Sequence, residues 1–412
     1  MNKDIKAFLI FLISIFIGLF FWDLIEFSNN SEKLEKKFFA HHLLYNPLND
    51  PVRFIIFLGI PILLTSIYYQ KEDSVFLKRF NEIIFFNKLF KFKNKEKNNH
   101  SFVNFYLALV ILTLIIEFLI LDFNIFASPI DIFHEGMWLT ASKNVKITGE
   151  FWKSSYIIRG YFADFYPFFL WDFFNKETIG ITRLFQAIIF FLNKILLVFI
   201  IFKISSFITF SKYKRNLFFL TTTLIMLSLQ SYINPIFPIR SFLLLLFILT
   251  FLNFLQKNKN ILFIFALGIF SSLSCFWYID IALYVNVILI ALLIYLLINY
   301  ETKPSAVLIL SILSGWLALY LIFPKSEFIE FLNNTYSVFT TLSWFHGIQF
   351  PKPFISLDAR SGKALVIFLL IGFFLIQLIN QKKKNNLLFL MSILFLFIIS
   401  LLYFNYGLSR SD

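Results

Sequence analysis

"SFVNFYLALVILTLIIEFLILDFNIFASPIDIFHEGMW" runs from Ser101 to Trp138. Its first half is an apolar run, 102–121, carrying one charge, Glu117. About 20 such residues suffice to cross the hydrocarbon of a bilayer. Its second half brings an Asp, a His and a Glu close together, at Asp131, His134 and Glu135. The stretch reads as a membrane span that empties directly into polar chemistry, and it sets the reading of the rest of the chain.

Composition agrees. Of 412 residues, 59% are hydrophobic and 15% charged, with mean hydropathy +0.77. A soluble domain carries about a quarter charged residues. The expected fold is an all-α polytopic membrane protein with about eleven transmembrane helices, forming a single integral membrane domain over 1–412. The spans are read at 7–27, 53–69, 102–122, 184–209, 217–233, 239–255, 261–278, 281–299, 304–323, 364–380 and 386–404. The first is an anchor, longer than the apolar core of a signal peptide and followed by no small-residue cleavage site. The single cysteine, Cys275, excludes an intrachain disulfide. The 61 Phe residues read as coding bias.

Short loops rich in Lys and Arg lie on the cytoplasmic side. With the N-terminus inside, the inner segments include 70–100, "SKYKR" (211–215), "QKNKN" (256–260) and "QKKKNN" (381–386). These inner segments hold more Lys and Arg than the outer ones in less than half their length, and most acids fall outside. The net charge of +13 is therefore a topology signal. Being spread over separate loops, it does not point to nucleic acid. The largest polar segments, 123–182 and 324–363, face outward, as does the tail "YGLSRSD" (406–412). The location implied is a bacterial inner membrane.

Locally, Ser128-Pro129-Ile130-Asp131 reads as a helix start, with Ser at the cap and Pro in the first turn. Such a helix puts Asp131 and Glu135 four residues apart on one face, near His134. Ile130, Phe133, Met137 and Trp138 would lay it on the membrane surface. The plainer alternative is that Asp131 only completes a capping box and Glu135 is only solvated.

"HEGMW" (134–138), "GEFW" (149–152) and "FNKETIGITRLFQ" (174–186) together resemble, in order and spacing, the first outer loop of GT-C-type membrane glycosyltransferases. That class includes the protein O-mannosyltransferases and the lipid A aminoarabinose transferases. The likeness covers roughly 60 residues. It departs from the family pattern where His134 replaces the first acid of a pair, where Asn175 stands at a position usually Gly, and in two extra spans before the motif. The resemblance implies transfer of a sugar from a polyprenyl-phosphate donor to an outer-face glycan, lipid or protein.

That chemistry asks for a carboxylate to take the proton of a sugar hydroxyl and for cations beside the departing phosphate. Glu135 is the first choice of base and Asp131 the second, with His134 and Asp164 supporting. Arg159, Arg183 and Arg410 are the donor-phosphate candidates, Arg offering a bidentate fork; Arg240 and Arg360 are weaker. A plain interface anchor is the alternative for Arg183, and an aromatic belt for Asp164 and Asp172. No cofactor is implied, and a divalent metal is left open. The partners are the lipid-linked donor, the outer-face acceptor and membrane lipids.

Glu117 and Lys194 fall within spans, where a central charge costs roughly 2.5–3.5 kcal/mol, and they are expected to pair. Relative to the resembled family the chain is expected to lack a C-terminal continuation, its tail bringing Arg410 to the outer face. Two other functions fit the hydropathy: a polysaccharide polymerase or ligase, and a non-enzymatic flippase or transporter of lipid-linked sugars. The first would not need the acid motif after an early span. The second predicts polar residues within the spans.

Overall fold

A computed structural model of the chain describes residues 3–27, 46, 48–71, 101–120, 126, 129–130, 132, 134–154, 157, 159–207, 212–229, 238–256, 260–298, 301–346, 369, 372 and 373. Among these the chain is helical, with no strand. It forms two compact units, one of 1–87 with 339–412 and one of 88–338.

The first unit is built on α1 (Lys3–Leu24) and α2 (Asn49–Lys71). They meet at Gly18, where an added Cβ would lie 3.1 Å from Phe57 Cα. Ala7, Phe11, Ile15, Trp22 and Phe57 form the seam with Phe373.

The second unit holds α3 (Ser101–Leu119), α4 (His134–Thr148), α5 (Phe151–Ser154), α6 (Tyr161–Phe174), α7 (Ile179–Phe207), α8 (Lys212–Leu229), α9 (Pro238–Gln256), α10 (Ile261–Trp277), α11 (Ile279–Ile298), α12 (Thr302–Ile322) and α13 (Lys325–His346) as far as Val338. The long α7 is its spine. Leu197, Val198 and Ile201 pack on Leu114 of α3 and Phe219 of α8, and α9 covers another face. Lys194 meets Glu117 at 2.5 Å, so the two expected intraspan charges neutralise each other.

The α10–α12 crossing is made by small residues. A Cβ on Gly268 would sit 1.7 Å from Ser311 Oγ, and one on Gly315 2.5 Å from Ser272 Oγ. Small residues let backbones approach closely in lipid, where apolar burial drives nothing. Beside this seam Ser271 donates to Asn286 Oδ1 (2.6 Å) and accepts from Trp316 Nε1 (3.2 Å). The outward faces are apolar instead: Leu310, Leu313, Leu317 and Leu321 of α12 and Ile290, Ile294 and Leu297 of α11 are exposed.

Among the described residues four helices are long and apolar enough to cross a membrane: Ile5–Leu24, Ile179–Ser205, Ile279–Leu297 and Thr302–Ile322. Shorter apolar stretches occupy α2, α3, α8, α9 and α10. Each span read from sequence between 7–27 and 304–323 overlaps a helix over its described residues. Those at 364–380 and 386–404 lie outside the described residues apart from 369, 372 and 373, as does loop 70–100 beyond Lys71. Only Tyr278, in extended conformation, separates α10 from α11. The segment 123–182 carries α4, α5 and α6, and 324–363 opens with α13.

Candidate functional site at the head of the second unit

The expected helix start at Ser128 is corrected: α4 begins at His134. Pro129 and Ile130 are not helical, and Ser128 and Asp131 lie outside the described residues. Arg183 competes with such a helix: its Nη2 takes the Pro129 carbonyl (2.9 Å), which a helix from Ser128 would turn to a backbone N–H, and its Nη1 takes the Phe126 carbonyl (3.3 Å). Glu135 thus stands in the first turn of α4 rather than a turn after Asp131. Trp138 is 3% exposed, so this face of α4 is packed into the protein, while Ile130, Ile132 and Met137 are exposed.

Glu135 and Arg183 form a two-point fork. Nε donates to Oε1 and Nη2 to Oε2, both at 2.7 Å, and Glu135 is 8% exposed. Bidentate Arg–carboxylate pairs are the strong class of charged hydrogen bond. Two residues separated by 48 positions therefore bind the start of α4 to the start of α7.

Arg159 is held by its backbone. Its N–H donates to Asp164 Oδ2 (2.9 Å), and its carbonyl accepts from Ile279 N–H (2.6 Å). Two residues earlier, the Ile157 carbonyl accepts from Asn334 Nδ2 of α13 (2.9 Å). Gly160, at φ 149 and ψ 153, closes the turn. That region of backbone space is essentially glycine-only. The fixed loop lays the guanidinium over the Trp138 ring, 5.0 Å from its centroid, with Nη2 3.1 Å from Met137 Sδ. Asp164, read from sequence as a supporting acid, holds the Arg159 turn.

Between these two sites lies Tyr166, 1% exposed, whose hydroxyl accepts from Gln186 Nε2. Burial pushes its hydroxyl far above the ordinary phenol range; the Gln186 bond works against this, Glu135 reinforces it and Arg159 opposes it. Tyr166 thus stays a neutral hydroxyl in the field of both charges. Burial does the same to Tyr161, with the Glu327 charge adding to it. An aromatic layer underlies the cluster: Phe162 stacks on Trp277 at 4.2 Å, and Trp277 Nε1 donates to the Ile239 carbonyl (2.8 Å). On the far side Arg240 pairs with Asp280 and lies over Tyr278 at 5.7 Å.

The second large loop contributes through α13, where Glu327 accepts from Trp152 Nε1. Away from the site, Lys143 (2.5 Å) and Lys146 (3.2 Å) grip Glu177 and hold its carboxyl below the usual carboxylate range. Asn175, where the resembled family has Gly, takes a left-handed conformation at φ 49. Asn is the residue next best suited to that conformation.

The structure thus brings Glu135, Arg183, Arg159 and Asp164 to one end of the unit. His134 opens α4; Asp131, Arg360 and Arg410 lie outside the described residues. Among these no group of three or more His, Cys, Asp and Glu is disposed to hold a metal. Sequence reading missed Tyr166, Gln186, Gly160 and Asn334. Gln186 had a visible signal, an amide inside an apolar run. No protein-family model, curated protein or solved structure matches the chain.

Proposed function

We propose that the chain is a membrane glycosyltransferase of GT-C type. It moves a sugar from a polyprenyl-phosphate carrier to an acceptor at the outer face of a bacterial plasma membrane. In this reading it crosses the bilayer about eleven times with its N-terminus in the cytoplasm, as the Lys/Arg bias of the loops indicates. One observation carries the proposal. An acid and two arginines from the segment after α3 and the first turns of α7 gather over an aromatic layer, where an apolar helix of spanning length begins.

The chemistry balances with these groups. The acceptor hydroxyl oxygen attacks the anomeric carbon as the bond from that carbon to the carrier phosphate breaks. The electron pair leaves on the phosphate oxygen, and Glu135 takes the hydroxyl proton. Arg159 offsets the charge that develops on the phosphate. Gln186 and the buried Tyr166 hydroxyl bond each other behind these groups and brace α6 against α7. Within the helices Ser271 bonds both Asn286 and Trp316, and Glu117 meets Lys194, so these polar groups serve packing.

The topology has a direct check. Single cysteines at Lys95 and Lys143, in a chain with Cys275→Ser, are expected to react with a membrane-impermeant maleimide from opposite faces. Labelling of both from one face overturns the sidedness and the outer-face site with it. For the reaction itself, the checking experiment is Glu135→Gln assayed for sugar transfer.

A further inference from the structure

In the resting protein Arg183 and Glu135 satisfy each other. A guanidinium has five N–H donors. In Arg183, Nε and Nη2 go to the Glu135 carboxylate, Nη2 also to the Pro129 carbonyl, and Nη1 to the Phe126 carbonyl. Both oxygens of Glu135 are taken by the same fork. A phosphate approaching Arg183 must displace something, and Glu135 must shed something before it can take a proton.

The fork is the geometry by which arginine binds a phosphate side-on. Here a carboxylate of the chain itself fills it. Resting on the glycosyltransferase reading, we propose that the Arg183 fork is the receptor for the phosphate of the lipid-linked donor. Glu135 is its resident placeholder, expelled when the phosphate arrives and thereby freed to take the acceptor's proton.

Two features suit this exchange. Arg183 keeps its two carbonyl bonds when Glu135 leaves, so the guanidinium stays in place with its fork vacated. Glu135 is the second residue of α4, so its departure from the fork need not disturb the helix interior. The base is then unmasked only while donor is bound, which fixes the order: donor first, acceptor second.

The test is binding without transfer. The full chain in lipid nanodiscs is titrated with polyprenyl phosphate bearing no sugar and, in a separate arm, with inorganic phosphate. Removing the internal competitor in Glu135→Gln is expected to tighten polyprenyl phosphate by about tenfold, the worth of one charged hydrogen bond. The double variant Glu135→Gln/Arg183→Gln leaves no buried charge behind and is expected to lose that gain. Equal or weaker binding by Glu135→Gln overturns the exchange, as does a gain that survives in the double variant. A gain with inorganic phosphate alone overturns the lipid donor as the source. Failure of sugar transfer with the binding gain intact refutes the transferase reading and leaves the exchange standing.

Discussion

Glu135→Gln lowers sugar transfer by about 10²–10⁴-fold, the usual worth of a positioned general base. The substitution keeps the length and planarity of the side chain. Its carbonyl oxygen still accepts one bond from Arg183, and the Phe126 and Pro129 carbonyls still hold the guanidinium. The Arg183 side chain, 10% exposed, loses its counter-charge, so the protein should still insert and fold but with a lowered melting temperature, read separately from the lost rate. Activity measured in vesicles containing equal amounts of folded protein checks the expectation. Near-normal turnover in Glu135→Gln with loss in Asp131→Asn would move the base to Asp131. If neither variant has an effect, the segment after α3 is a cap and a brace.

Gly160→Ala has the second largest expected effect, through Arg159. At φ 149 and ψ 153 an alanine is strained, at a cost of about 1–3 kcal/mol. The added Cβ would also lie 2.8 Å from the Trp277 carbonyl oxygen and from Tyr278 Cα. These are backbone atoms at the α10–α11 junction and cannot turn aside. The loop must lift, carrying Arg159 off the Trp138 ring and breaking its backbone bonds to Asp164 and Ile279. Displacement of about 1 Å in a positioned group can cost 10²-fold in rate, and transfer is expected to fall by about that factor with a lowered melting temperature. Gly59→Ala is the control: with helical backbone and no described atom within 4 Å, it should change neither. Normal transfer in Gly160→Ala would remove Arg159 from the donor site.

Much of the fold was legible because lipid imposes long apolar runs that stand out in any window. The helices α7, α11 and α12 lie where hydropathy put them, and the Glu117–Lys194 pair followed from two charges on spans joined by one loop. Local signals were weaker where tertiary bonds compete with them. Ser128-Pro129 carries good helix-start chemistry, yet Arg183, far along the chain, competes for the carbonyls around it, and α4 begins at His134. Glu135 and Arg183 were each read as candidates, but nothing in their spacing announced that they bind each other. Gly160 and Asn334 were invisible for the same reason. Their importance comes from contacts with Trp277, Tyr278 and Ile157 that only folding creates. The left-handed turn at Asn175 was half legible, since the resembled family usually places Gly there and Asn tolerates the same backbone.

The most direct test is whether the purified chain consumes a lipid-linked sugar. Reconstituted into proteoliposomes with a panel of polyprenyl-phosphate hexoses and pentoses and a crude outer-surface acceptor fraction, the wild-type chain is expected to release free polyprenyl phosphate from at least one donor. Release should be abolished by Glu135→Gln and reduced about 10²-fold by Gly160→Ala. Release by the wild type that is equally rapid in Glu135→Gln, or no release from any donor in the panel, would contradict the account.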